Sequence, residues 1–226
     1  MFVQTIVCFA NSRKNGNRCI AGKAMTRAGI GTWVRPVERD ATRGLSPNTL
    51  VYKDGCQPAL MDVVSVPLDL HLPVRNQSEN YLLNPNHRWI KSGHLQLAWI
   101  QAWLDIPAQL WALGHQSWGM RNNRVPQELA NGPSLLLIRV SNLKLRMMDS
   151  PKPYDLHRTV VIGEFVYNKV SYRLSVTDPE VEALCRATPG GILEIIQPVL
   201  CLSLGVCFNQ FHYKLIAGVI YQGRFP

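Results

Sequence analysis

The chain has 226 residues, of which 46% are hydrophobic and 17% are charged. This composition excludes an intrinsically disordered protein, and the length suits one large or two small domains. The formal net charge of +9 favours an anionic partner. Because no apolar run approaches the length of a membrane span and the first residues do not resemble an export signal, we expect a cytoplasmic protein that does not enter the membrane.

Three strands are predicted in the first part of the chain, over residues 2–9, 18–25 and 31–37, where β-forming residues are separated by short polar segments. Residues 11–17 are polar and basic and predict a loop. Six basic residues and no acidic residue occur between Met1 and Val37. Such a cluster is typical of a surface that binds a polyanion, although it also occurs on a solvated face without a partner.

The middle of the chain, residues 75–132, contains five of the six tryptophans. Residues 94–104 predict a short, mostly buried helix, and the four-residue spacing of Trp99 and Trp103 predicts that both rings pack in the core. Residues 114–132 predict an exposed loop in which Arg121 offers a second basic contact.

The last part begins with a predicted strand region over residues 135–148. The segment Ser150-Pro151-Lys152-Pro153 that follows resembles a linker, so we place the first domain at residues 1–149 and the second at 150–226. A hairpin is predicted around Asn168-Lys169, followed by a helix that Asp178 caps and Pro179 begins.

The predicted elements of the second domain are, in order, two strands, a capped helix and two more strands. This order matches most of a small, partly open barrel. The first domain offers three strands, a gap and further strands. The pattern predicts a mostly β fold with two OB-like small barrels and a few short helices, the first barrel carrying the tryptophan-rich segment as an insertion.

Several sequence blocks resemble the dual OB-fold domain family of prokaryotic proteins. In the first half the blocks are Cys8-x-Ala10-Asn11-Ser12-Arg13-Lys14, Arg18-Cys19-Ile20-Ala21-Gly22 and Gly31-Thr32-Trp33-Val34-Arg35-Pro36-Val37. In the second half they are Phe165-x-Tyr167, residues 172–179, Leu202-Ser203-Leu204-Gly205 and residues 213–217. The resemblance implies recognition of nucleic acid or nucleotides, often in settings of defence against mobile elements, and no established catalytic centre.

The candidate binding residues combine phosphate donors with a stacking surface: Ser12, Arg13, Lys14, Arg18, Lys23, Trp33, Arg35 and Lys214. We expect the first five to contact phosphates, with Ser12, Arg13 and Lys14 on one loop tip. We expect Trp33 and Arg35 to share a strand face on which a base stacks. In the alternative interpretation, Trp33 fills the barrel and Arg35 pairs with an acid such as Asp62. Lys214 lies among apolar residues and either faces solvent or lines a groove.

No metal-binding motif, no cofactor motif and no recognisable nucleophile with its base occur in the sequence, so no catalytic residue is assigned and an enzyme is the less favoured class. The leading hypothesis is a binder of single-stranded DNA or RNA. Three alternatives stay open: a sensor of a small nucleotide, an adaptor that contacts protein partners in a defence complex, and a hydrolase of nucleic acid.

Overall fold

The computed structural model describes residues 1–40, 43–52, 54–150 and 158–225. The chain divides into two compact units, residues 1–104 and 105–226. In the part of the chain that is described, no helix is both long and apolar enough to cross a membrane.

The first unit is a six-stranded sheet. Its strands are β1 (Phe2–Lys14), β2 (Asn17–Thr26), β3 (Gly29–Val37), β4 (Asp62–His71), β5 (Asn80–Leu83) and β6 (Ile90–His94). The order is β1-β2-β3-β5-β4-β6, and β1 also pairs with β4, so the first five strands close into a barrel. The β3–β5 pairing is parallel and the others are antiparallel.

The close approach of β2 to β1 requires a glycine on β2. A Cβ atom at Gly22 would lie only 2.1 Å from the carbonyl oxygen of Val7, so any side chain there would overlap the backbone of β1. The apolar face of the strands supplies the core, which includes the fully buried Ile6, Ile20 and Val66.

The second unit contains eight strands and one α-helix in its described part. The strands are β7 (Arg124–Pro126), β8 (Leu135–Arg139), β9 (Asn142–Asp149), β10 (Thr159–Tyr167), β11 (Val170–Val176), β12 (Ile192–Ile196), β13 (Val199–Leu204) and β14 (Phe211–Ile220), and the helix is α1 (Pro179–Ala187). Seven strands follow the order β12-β9-β10-β11-β14-β13-β8, and β7 pairs with β14.

This sheet also closes on itself, through one bent segment. Strands β12 and β13 are separated only by Gln197 and Pro198, and Gln197 has a φ of 50°. The first half of the bent segment pairs with β9 and the second half with β14, which joins the two ends of the order β9-β10-β11-β14. The β11–β14 pairing is parallel, and α1 connects β11 to the bent segment.

The predicted mostly β fold with two OB-like barrels is confirmed, whereas the units divide earlier than the predicted boundary at residue 149. Strands β8 and β9 belong to the sheet of the second unit, and β9 pairs antiparallel with β10. The proline-containing segment that we interpreted as a linker therefore joins two paired strands of one barrel. Of that segment, residues 151–153 lie outside the described residues.

A short helix forms within the predicted span 94–104, but it is of the 3₁₀ type and is largely exposed, whereas we expected it to be mostly buried. Strand β6 ends at His94, and a 3₁₀ helix spans Leu97–Trp103. Because a 3₁₀ helix has three residues per turn, Ile100 and Trp103 share its buried face, whereas Trp99 points elsewhere and is 67% exposed. The core assignment therefore holds for Trp103 and fails for Trp99.

The local features of the second unit form as predicted. Asn168 and Lys169 join β10 to β11 with positive φ values of 45° and 66°, as a tight hairpin turn requires. Asp178 caps α1 by accepting hydrogen bonds from the backbone N–H groups of Glu180 and Val181, and Pro179 begins the helix.

Candidate nucleic-acid interface

The basic residues near residue 13 lie on a strand and not on the predicted loop tip. Strand β1 continues to Lys14, and β2 begins at Asn17, which leaves a turn of only Asn15 and Gly16. Both turn residues have positive φ values, 49° and 81°. The asparagine–glycine pair thus forms a tight hairpin turn, and the strand alternation decides where each basic side chain points.

The register of the first three strands divides the candidate residues between two faces. Ser12 is opposite Cys19, and Lys23 is opposite Trp33. Because cross-strand partners and residues two apart share a face, one face of β1–β3 carries a set of polar and aromatic residues. That set is Ser12, Lys14, Cys19, Lys23, Trp33 and Arg35. Arg13 and Arg18 are opposite each other and lie on the other face.

Much of the shared face is buried, as Lys23 illustrates. Its side chain is only 7% exposed, and its ammonium donates a hydrogen bond to the carbonyl oxygen of Trp103 at 2.7 Å. The same Nζ lies 5.3 Å from the centre of the Trp33 ring, within reach of a cation–π interaction. Lys23 therefore anchors the end of the 3₁₀ helix to the barrel.

Arg35 is also buried, and a carboxylate neutralises it. It is 3% exposed, and its guanidinium lies 3.0 Å from a carboxylate oxygen of Glu79. Arg35 therefore pairs with an acid, as the alternative interpretation of the sequence expected. The acid is Glu79 and not Asp62. Asp62 instead accepts hydrogen bonds from the Tyr52 hydroxyl and forms an ion pair with Lys91 at 2.6 Å.

Trp33 belongs to an aromatic cluster on the same face. Its ring packs edge-on against Phe9 with centroids 6.1 Å apart, and Phe9 packs in the same manner against Trp103 at 5.5 Å. The indole Nε1 of Trp33 is buried and has no hydrogen-bond partner among the described residues. This half-buried ring is held mainly by side-chain packing.

A small notch lies where the hairpin end meets the connection between β4 and β5. Lys14, Arg18 and Arg35 line it together with Gln77 and Glu38. The notch has a volume of about 10 Å³, so it admits one atom or water-sized group. Partial burial lowers the pKa of Lys14, and the nearby Arg35 charge adds to this effect, whereas Cys19 and Asp40 oppose it.

Lys214 belongs to β14 in the second unit and is not on the face described above. It is 1% exposed, its ammonium donates to the carbonyl oxygen of Ala112 at 2.8 Å, and its Nζ lies 5.3 Å from the Tyr172 ring. Burial lowers the pKa of Lys214 to about 7. The residue does not face solvent, and it lines a small cavity of about 30 Å³ together with Trp118, Asn123 and Tyr213.

Sequence reasoning did not find the partners that hold these side chains. Glu79 lies in the connection between β4 and β5, and Trp103 lies at the end of the predicted short helix. Neither has a local pattern that links it to Arg35 or Lys23. In the described ranges, no group of three or more His, Cys, Asp or Glu residues has an arrangement that would hold a metal ion.

Comparison with known proteins identifies the family but no individual relative. The model of the dual OB-containing domain matches residues 4–219, which is nearly the whole chain. No curated protein and no solved structure matches. The match spans both closed barrels, and the chain therefore belongs to the dual OB-containing domain family.

Proposed function

We propose that this protein binds single-stranded DNA or RNA through the hairpin end of the first barrel. The observation that carries the proposal is the notch lined by Lys14 and Arg18 between the β1–β2 hairpin and the β4–β5 connection. OB barrels bind oligonucleotides across strands 2 and 3 and through these two loops. A cationic notch at this place suits a backbone phosphate.

The charge distribution supports the same surface. Six basic residues and no acid occur in the first 37 residues. Lys23 and Arg35 are buried, so we assign them to the support of the site, and the exposed Arg27 lies in the β2–β3 turn at the other end of β2. Arg13, Lys14 and Arg18 are half-buried at the hairpin end. We propose that these surface cations contact phosphates, which provides affinity that does not depend on base sequence.

The remaining candidate residues have supporting roles in this proposal. Ser12 and Trp33 lie on the partly covered face, where the half-buried Trp33 ring packs against Phe9 and leaves only part of its surface to a base. Lys214 is buried in the second unit, and we assign it a structural role.

The small volume of the notch favours a strand over an enclosed nucleotide. A site that encloses a drug-sized ligand has a volume of about 300–1,000 Å³. The notch can receive one phosphate oxygen while the rest of a strand stays outside. From the family resemblance we also propose that the protein acts in the cytoplasm in prokaryotic defence, alone or with protein partners.

The test is the salt dependence of oligonucleotide binding, measured by fluorescence anisotropy with labelled single-stranded DNA and RNA. The variant R13A/K14A/R18A should bind more weakly. The negative slope of log K against log salt should become shallower by about 2, because each phosphate contact to a single strand contributes about −0.7 to the slope. The matched control K144A/K169A/R186A removes three exposed cations of the second unit and should leave the slope unchanged.

Three outcomes would contradict the proposal. The first is binding that does not vary with salt or with the triple variant. The second is a mononucleotide that raises the melting temperature while oligonucleotides do not bind, which would favour a nucleotide sensor. The third is a co-purified protein partner with no affinity for nucleic acid, which would favour an adaptor.

A further inference from the structure

A larger depression lies on the second barrel, at strands β10 and β11. Its volume is about 320 Å³, and its lining includes Arg121, Ser141, Asn142, Glu164, Ser171 and Arg173. Glu164 and Arg173 are cross-strand partners and share a sheet face, whereas the adjacent pair Phe165 and Tyr172 is buried in the core. The depression therefore lies over the outer side of these two strands.

The guanidinium of Arg173 is held in a defined orientation. Its Nε lies 3.2 Å from a carboxylate oxygen of Glu164, and one terminal nitrogen donates to the carbonyl oxygen of Gly119 at 3.0 Å. The backbone N–H of Arg173 also donates to the carbonyl oxygen of Arg121 at 3.0 Å. These contacts place the two arginines side by side at the wall of the depression.

Arg121 carries a positive charge that is available to a ligand. Its side chain is exposed, and its guanidinium forms no hydrogen bond or ion pair with any residue that the structure describes. Since Glu164 already balances Arg173, Arg121 supplies the net positive charge of this wall. A planar guanidinium with unused donors is well suited to a phosphate group.

The other groups suit a sugar and a base better than a simple anion. Ser141 and Ser171 offer hydroxyls, and Glu164 offers an acceptor for N–H or O–H groups. Val166 is 52% exposed and gives the depression an apolar part on which a ring can rest. The volume lies at the lower end of the range for small-molecule sites, which is about 300–1,000 Å³.

We propose that this depression binds a phosphate-bearing ligand of nucleotide size, with Arg121 on the phosphate and the polar groups around Glu164 on the sugar or base. The ligand is either a free nucleotide or one nucleotide unit of a strand. The site lies wholly within the second unit, so it does not depend on the proposed interface of the first barrel.

The experiment measures binding of the four ribonucleoside monophosphates, the matching nucleosides and a single-stranded oligonucleotide to the full chain by calorimetry. The test variant is R121Q and the matched control is R186Q, an exposed arginine on α1. Loss of one charge-assisted contact should weaken binding about ten- to hundredfold. The melting temperature of R121Q without ligand should equal that of the wild type, because Arg121 has no side-chain partner among the described residues.

Comparison of these probes and variants distinguishes a free nucleotide from a strand as the ligand, and this depression from the proposed interface of the first barrel. If a monophosphate binds at least about tenfold more tightly than its nucleoside and R121Q removes this difference, the ligand is a free nucleotide. If only the oligonucleotide binds and R121Q weakens it, the ligand is a strand unit. R13A/K14A/R18A should retain nucleotide binding, which distinguishes this site from the first barrel.

The inference is overturned if R121Q and R186Q bind every probe equally well, or if no probe binds the wild type. A second variant, R173K, keeps the charge beside Glu164 and removes the planar fork. R173K should also lower the affinity for the probe that the wild type binds. An unchanged affinity in both R121Q and R173K would exclude this depression as the site.

Discussion

The buried lysine of the second barrel links the stability of the protein to pH. Lys214 is 1% exposed, and its ammonium donates to the carbonyl oxygen of Ala112. No acidic side chain forms an ion pair with it in the described part of the chain. Burial disfavours the charged form and lowers the pKa from 10.5 to about 7.

The sign of the effect follows from proton uptake on unfolding. Between pH 7 and 10.5 the unfolded chain holds a proton on Lys214 that the folded chain has released. The free energy of unfolding therefore rises with pH, by up to about 1.4 kcal/mol per pH unit. This stabilisation is complete above the unfolded pKa and is lost as the pH falls to about 7, a span on the order of 5 kcal/mol.

The variant K214M removes the titrating group and keeps the length of the side chain. At pH 8 it should relieve a cost on the order of 3 kcal/mol, while the loss of the hydrogen bond to Ala112 costs about 1 kcal/mol. We expect K214M to be more stable than the wild type at pH 8 by about 2 kcal/mol, and this advantage should shrink as the pH rises.

Urea unfolding followed by tryptophan fluorescence at several pH values between 6.5 and 9.5 provides the measurement. Other titrating groups occur in both proteins, so the difference between wild type and K214M isolates Lys214. The control K144M replaces an exposed lysine and should leave the pH dependence unchanged. Parallel stability profiles for wild type and K214M would refute the reasoning.

Three further predictions concern the first unit. Glu79→Ala removes the carboxylate beside the buried Arg35 and should cost about 3–5 kcal/mol in urea unfolding; an unchanged midpoint would refute a structural role for this pair. Burial would raise the pKa of Asp62, but hydrogen bonds to its carboxylate outweigh burial and hold the pKa below 3.8. The wild type should therefore lose stability as the pH falls through that lowered pKa, and Asp62→Asn should flatten this part of an acid-unfolding curve followed by circular dichroism. Gly22→Ala places a Cβ 2.1 Å from the carbonyl oxygen of Val7 and should prevent folding of the first barrel, so a native circular dichroism spectrum would contradict the close approach.

Local signals in the sequence predicted the elements that depend on neighbouring residues. The turn at Asn168-Lys169, the cap at Asp178 and the strands on either side form as expected because turn and capping preferences act over a few residues. The same is true of the three-strand meander at the start, since alternation of side chains is a property of each strand. The strand order around the helix was sufficient to predict an OB-like barrel.

Contacts between distant residues decided the division of the chain and the character of the candidate site. Strand β9 joins the second unit because it pairs with β10 on one side and with β12 on the other, and the pairing with β12, about 50 residues later, is one that no local pattern reveals. Lys23 is buried by a contact with Trp103, 80 residues away, and Arg35 is neutralised by Glu79 from another strand connection. The sequence by itself determined a basic, mostly β protein with short hairpins and a capped helix. Only the tertiary structure decided which cations reach the surface, because burial and ion pairing depend on which segments pack together and not on the residues beside each cation.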